Sequence, residues 1–160
     1  MRTTDGYDPR GEVDLRGFGW SLAAYAATTG LLVASGAARR WRWPERYAVS
    51  DVVLGGVAVH KFSRLVARSS VASPLRAPFT EFEGAAGHAE HDERARGEHG
   101  VRHTAGELVT CPFCLGVWTG TAYVAGLGVV PRAARAWAAL FTVTALSDSL
   151  QLVYARLRDA

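Results

Sequence analysis

Few residues in this sequence have side chains suited to chemistry. Cys111 and Cys114 are its only thiols, and they lie in the string Cys-Pro-Phe-Cys. A thiol at a helix start is acidified by the helix dipole, so Cys111 is a candidate reactive thiolate. Pro112 suits such a start, because the first helical residue has no use for its N–H. A C-x2-C pair is also half of a tetrahedral zinc site. His99 and His103, four apart and able to face one way in a helix, are candidates to complete it. The sequence establishes no cofactor; if the pair holds one, its spacing suits zinc. The plainer alternative is that two small apolar thiols pack a helix end.

Asp148 is the other conspicuous group. It interrupts Ala136–Ala155, a run with no other charge, and Gln151, Ser147 and Ser149 surround it with polar atoms. An acid inside a membrane helix costs roughly 2.5–3.5 kcal/mol on insertion scales, so Asp148 should face protein or water. A pair with Lys61, Arg64 or His60 is the structural reading. An ion or proton path is the functional one. Gly116 and Gly120 form G-x-x-x-G, a spacing that lets helix backbones approach closely in lipid. Their expected partner is the first helix, with Ala23, Ala26, Ala27 and Gly30, or the same helix in another copy.

The elements that must position these groups are apolar runs. Gly17–Ala38 and Leu108–Pro131 carry no charge over 22 and 24 residues, and about 20 suffice to cross a bilayer. Tyr47–Arg68 is different. Its uncharged run after Asp51 is nine residues, and Lys61, Arg64 and Arg68 then share one helical face. This pattern predicts an amphipathic helix partly inserted in the membrane. Arg39, Arg40, Trp41, Arg42 and Trp43 alternate charge with rings, as at a membrane interface. The expected fold is all-α: a multi-pass integral membrane protein with a small bundle of three to four inserted helices. Residues 1–16 read as a flexible tail. Residues 17–160 read as one helical membrane domain with helices near 17–38, 47–68, 108–130 and 134–156. Residues 80–103, rich in acids, histidine and glycine, read as a flexible polar loop.

The formal charge of +3 and pI near 9.2 do not indicate nucleic acid, since the arginines flank apolar runs instead of forming one basic surface. Lys/Arg placement sets orientation. Three crossings with the N-terminus outside put 13 basic residues inside against 5; four crossings with the N-terminus inside give 12 against 6. Both arrangements place the Cys pair and the C-terminus in the cytoplasm, where thiols stay reduced. One lysine against 17 arginines points to a GC-rich bacterial genome.

Three patches carry a resemblance. They are Asp51 with Phe62-Ser63-Arg64-Leu65, then Pro74-Leu75-Arg76-Ala77-Pro78-Phe79, then Glu107-Leu108 with Cys111-Pro112-Phe113-Cys114-Leu115-Gly116-Val117-Trp118. Over roughly Ala48 to Tyr154 the chain resembles the bacterial membrane family called domain of unknown function 1360. The resemblance implies a multi-pass membrane protein, some relatives carrying sporulation labels, and no assigned reaction. Family members often have an aspartate shortly before the Pro-Leu-Arg patch; Ser69 and Ser70 stand there in this chain.

The sequence thus reads as a non-enzymatic membrane component, structural or partner-binding. Its partners would be the lipid bilayer and a second copy or another membrane protein. The alternatives are a zinc or thiol-redox site on the cytoplasmic face, and a small transporter or channel subunit using Asp148.

Overall fold

A computed structural model describes residues 7–9, 13–41 and 43–158. Most of the expected N-terminal tail lies outside the described residues, as does Arg42. The elements are α1 (Leu15–Ala38), α2 (Val49–Arg68), a 3-10 turn (Ser70–Ala72), α3 (Ser73–Arg76), β1 (Thr80–Gly87), β2 (Glu90–Ala95), α4 (Val101–Thr110), α5 (Pro112–Val129) and α6 (Pro131–Arg158).

The long helices alternate in direction. Tyr123 of α5 lies against Gly55 of α2 while Gly116 lies beside Ser63, so α5 runs antiparallel to α2. Asp51, Leu54 and Lys61 of α2 meet Arg135, Thr142 and Asp148 of α6 in ascending order, so α6 runs parallel to α2. The start of α1 meets the start of α4 through Asp14, and its end shares Trp43 with the end of α5. The hairpin, the Cys pair, the start of α1 and the C-terminal end of α6 therefore gather at one end of the bundle.

The core is small and built from small residues. Ala58, Tyr123, Leu127, Ala134 and Ala138 are buried together, with Val59, Trp137 and Phe141 packed against them. Phe62 meets Trp137 and Phe141 edge-on, with centroids 5.6 and 5.1 Å apart. The Tyr123 ring of α5 packs onto α2 at Gly55, where an added Cβ would overlap it. Tyr123 then donates its hydroxyl to the Asp51 carbonyl at 2.9 Å. The expected close-packing glycines are placed differently. Gly116 makes ordinary contact with Ser63 and Gly120 has open space beside it. Neither brings α1 close, because α1 meets α5 through larger side chains: Tyr25 packs edge-on against Trp118. The Thr121 hydroxyl donates to the Val117 carbonyl and so accepts from the Tyr25 hydroxyl at 2.7 Å.

An all-α fold is corrected by the two-stranded antiparallel sheet of β1 and β2. The segment expected as a loop folds as this hairpin, followed by the start of α4. Gly87 (φ 139°) and Ala89 (φ 57°) turn the chain between the strands, and Ser70 N–H donates to the Ala89 carbonyl at 2.9 Å, fastening the turn to the end of α2.

Candidate functional site

The polar end of the bundle is organised by charges of α2 and α3 facing the hairpin. In a strand, successive side chains point to opposite faces, and β2 uses both. Glu90 and Asp92 turn to α2, where Arg64 makes two bonds to Glu90 at 2.8 and 2.7 Å and Arg68 pairs with Asp92. Four helical residues rise about 6 Å and two strand residues about 7 Å. A helix i,i+4 pair can therefore match a strand i,i+2 pair side by side. One turn earlier, Lys61 pairs with Asp148 of α6. The basic face expected at the membrane interface is thus matched, residue by residue, to acids of the hairpin and α6.

His91 and Glu93 turn the other way, toward α3. Arg76 is fully buried. It donates through Nη1 to the carbonyls of Val66 and Ser69 (2.7 and 3.0 Å). Nε and Nη2 reach Glu93 at 2.9 and 2.6 Å, and Nη2 also reaches the Ser73 hydroxyl at 3.1 Å. Every guanidinium N–H is thereby used. Ser73 and Thr80 donate to Glu93 at 2.9 and 2.7 Å. The single Ser73 proton goes to Glu93, so His91 Nδ1 must be the donor in its 2.9 Å bond to the Ser73 oxygen. Burial raises the Glu93 carboxyl, but the bonds from Arg76, Thr80 and Ser73 and the Arg76 charge prevail and hold it at about 2. Nothing in the sequence pattern announces this cluster, because both members of the pair look like loop charges.

At the opposite end, Arg135 makes two 2.8 Å bonds to Asp51 and joins the start of α6 to the start of α2. Trp41 and Trp43, expected at a membrane interface, fold onto the helix ends: Trp43 covers Gly36 and Gly128, and Trp41 also covers Gly36. Arg39 and Arg40 end α1, with Arg40 in the left-handed region (φ 51°).

Cys111 is the break between α4 and α5, and its Sγ accepts from the Cys114 N–H at 3.1 Å. Both thiols are free. His103 and His99 do not converge on them. His103 Nε2 lies 3.5 Å from Glu107 Oε1. His99 is near enough to Asp14 to help hold that carboxylate ionised. Among the described residues no three His, Cys, Asp or Glu side chains are grouped to hold a metal. His103 Nδ1 and Glu107 Oε2 are nevertheless buried without a partner. Asp14, a residue the sequence left in the tail, caps α1 through Gly17 N–H (2.9 Å) and accepts from Gly100 N–H at the start of α4 (3.1 Å). These two backbone bonds lower its carboxyl below the usual range.

The family model described as "Protein of unknown function (DUF1360)" matches residues 54–154. "Sporulation protein YjcA" of Bacillus subtilis (strain 168) is 30% identical over 108 residues, which is 66% of this chain and 91% of YjcA. No solved structure matches. The family match includes the paired face of α2, the hairpin, the Cys pair and Asp148, whereas α1 precedes it.

Proposed function

Starting from the fact that the chain belongs to the DUF1360 family, we propose that it is an integral membrane scaffold whose hairpin end binds a protein partner at the cytoplasmic face and performs no reaction. The observation that carries this reading is the contrast between the two parts of the molecule. Three helices, α1, α5 and α6, are long and apolar enough to cross a bilayer, and little of their apolar stretch is buried within the chain. Outward-facing Leu22, Leu31, Val33, Val124, Leu140 and Val143 need a nonaqueous neighbour. At one end, by contrast, a charged hairpin is locked in place by ion pairs, as a rigid platform should be.

The alternating helix directions favour four crossings, with α2 crossing under the cover of α5 and α6. Arg135 and Asp148 lie about 20 Å apart along α6, less than a hydrocarbon core of about 30 Å. The long stems of Lys61 and Arg135 let both charged levels reach toward the headgroups. Asp148, held by Lys61, is read as a structural pair and not as an ion path.

The test is extraction and labelling. The protein should stay in membranes washed with alkaline carbonate. An impermeant maleimide should modify Cys111 and Cys114 only after the cells are opened. Release by carbonate sinks the membrane reading, and labelling of intact cells sinks the orientation.

A second reading is zinc on the Cys pair; it requires His103, whose Nδ1 is buried without a partner, to swing toward the thiols, because no three ligating side chains are grouped among the described residues. Metal analysis of reduced protein decides it. About one zinc per chain, lost in Cys111→Ser, supports the site, and metal-free protein with two reactive thiols removes it.

A further inference from the structure

We propose that the end of the bundle opposite the hairpin holds the headgroup of an anionic phospholipid, its phosphate taken by arginines at the end of α1 and the start of α6. The inference rests on the membrane reading and adds to it the class of lipid.

The basic residues of this chain divide by what they meet. From Lys61 to Arg102, every lysine and arginine bonds to an acid or a backbone carbonyl. At the opposite end Arg135 is matched in the same way, to Asp51. Arg39, Arg40, Arg46 and Arg132 are not. All four are exposed, and their side chains have no partner among the described residues. Glu45 is the one acid left at this end to set against them.

The fold gathers these four charges. Arg39 and Arg40 follow the last residue of α1, Arg46 lies shortly before α2, and Arg132 is the second residue of α6. The connector that carries three of them is folded back onto the helix ends. Trp41 N–H donates to the Gly36 carbonyl at 2.9 Å, and Trp43 N–H to the Trp41 carbonyl at 3.1 Å. Gly36 and Gly128 have no side chains to keep the Trp43 indole out, so it covers the ends of both α1 and α5. The arginines are thereby held where α1 and α5 end and α6 begins, which in a membrane is the depth of the phosphates.

Water would also solvate these side chains, so the choice of partner rests on side and chemistry. With the hairpin in the cytoplasm, this end lies on the outer face, where basic residues are ordinarily scarce. A guanidinium presents paired N–H groups that match two phosphate oxygens and is more weakly hydrated than an ammonium. A choline headgroup brings its own cation to its phosphate, whereas an anionic headgroup leaves the phosphate free for arginine. Leu31 and Val33 are exposed within about two turns before Arg39, and Val130 is exposed beside the start of α6. They give acyl chains an apolar wall that a soluble phosphate has no use for.

The test is quenching of tryptophan fluorescence in phosphatidylcholine vesicles that hold the full chain. Trp41 and Trp43 report on the site, and a Trp20→Phe background removes the exposed indole of the other end. Brominated phosphatidylglycerol or brominated phosphatidylcholine replaces an equal fraction of the host lipid. Phosphatidylglycerol should associate several-fold more strongly. Arg39→Gln, Arg40→Gln and Arg132→Gln together should bring the two lipids to parity and leave the unfolding temperature in phosphatidylcholine unchanged. Arg16→Gln with Arg156→Gln, exposed at the hairpin end, should keep the preference. No preference in the parent chain, a preference that the triple variant keeps, or an equal loss in the control pair overturns the proposal. So does removal of the preference by inorganic phosphate at an ionic strength where chloride has no effect, which assigns the arginines to a soluble anion. Alkaline carbonate washing judges the membrane reading separately: protein lost to the wash fails that reading, while the lipid preference of the variants judges the site.

Discussion

Arg76 and Glu93 meet end to end, with two guanidinium nitrogens on the two carboxylate oxygens at 2.9 and 2.6 Å, and their side chains are 1% and 5% exposed. A buried ion pair gives little net stability when both charges must leave water, but removing one partner strands the other. The pair therefore acts as a lock. It fixes β2 against α3 and, through the Val66 and Ser69 carbonyls, against the last turn of α2. Glu93→Ala should destabilise the protein by about 3–5 kcal/mol. Thermal unfolding in detergent would measure it, and a change under 1 kcal/mol would mean that Arg76 finds water when Glu93 is gone.

Acid should open the same lock. The Glu93 carboxyl falls from 4.5 to about 2 on folding. A depressed acid stabilises the fold above its unfolded value, and that contribution is lost as pH falls through the folded value. Glu93 should thus contribute about 3 kcal/mol at neutral pH, declining from near pH 4.5 down to pH 2. Asp14, lowered by the Gly17 and Gly100 N–H groups, acts in the same direction. Glu93→Gln should flatten the acid limb of the stability curve. An unchanged limb would assign the acid sensitivity to other carboxylates.

The apolar helices were legible because length without charge is a strong signal. Their ends were also marked, by Pro112, by Pro131 and by Arg156. The hairpin was hidden for a physical reason. A strand is recognised by one apolar face, and β2 has none: Glu90 and Asp92 serve Arg64 and Arg68 on one side, while His91 and Glu93 serve Ser73 and Arg76 on the other. Its partners stand 17 to 26 positions away, where no local pattern reaches. The glycine motif shows the reverse difficulty. Gly116 and Gly120 have the spacing for close approach, yet it is Gly55, which has no such motif, whose missing side chain makes room for a ring of the neighbouring helix.

The match between a helix step and a strand step makes a directional prediction. Arg68→Glu alone places an acid opposite Asp92 and should loosen the hairpin. Combined with Asp92→Arg, the charges are complementary again. Each exposed pair contributes about 0.2–1 kcal/mol, so the double variant should recover most of the loss. Hydrogen exchange of the β1 and β2 amides reads this directly. Unchanged protection in Arg68→Glu would show that the hairpin is held by the Arg76 cluster alone, and a loss that the double variant does not restore would overturn the direct pairing of Arg68 with Asp92.

Gly55 limits how closely α2 and α5 can pack. A methyl group there would overlap the Tyr123 ring, and the ring is buried and tied to the Asp51 carbonyl at 2.9 Å. Gly55→Ala should therefore cost about 1–3 kcal/mol, the range for overpacking a filled core. The loss should shrink when Tyr123 is reduced to Leu, although that change itself sacrifices the hydroxyl bond. Gly120→Ala, with nothing nearby, serves as the control and should be neutral in the monomer. Equal losses at the two positions would mean that the α2–α5 contact is looser than described.

Asp51 and Arg135 hold the far end. Arg135 is half exposed, but Asp51 is nearly buried and receives both bonds at 2.8 Å. Arg135→Ala should lower the unfolding temperature, by less than loss of the buried Arg76 pair does, because solvent screens the exposed Arg135 end of the contact. Lysine cannot reproduce the planar two-pronged contact, so Arg135→Lys should recover only part of that loss. Asp51→Asn keeps the shape and removes the charge; combined with Arg135→Ala it should add little further destabilisation, since the interaction has already been removed. If the two losses instead add in full, the two residues act independently: Asp51 is stabilised by the positive start of its own helix, and Arg135 acts through other contacts.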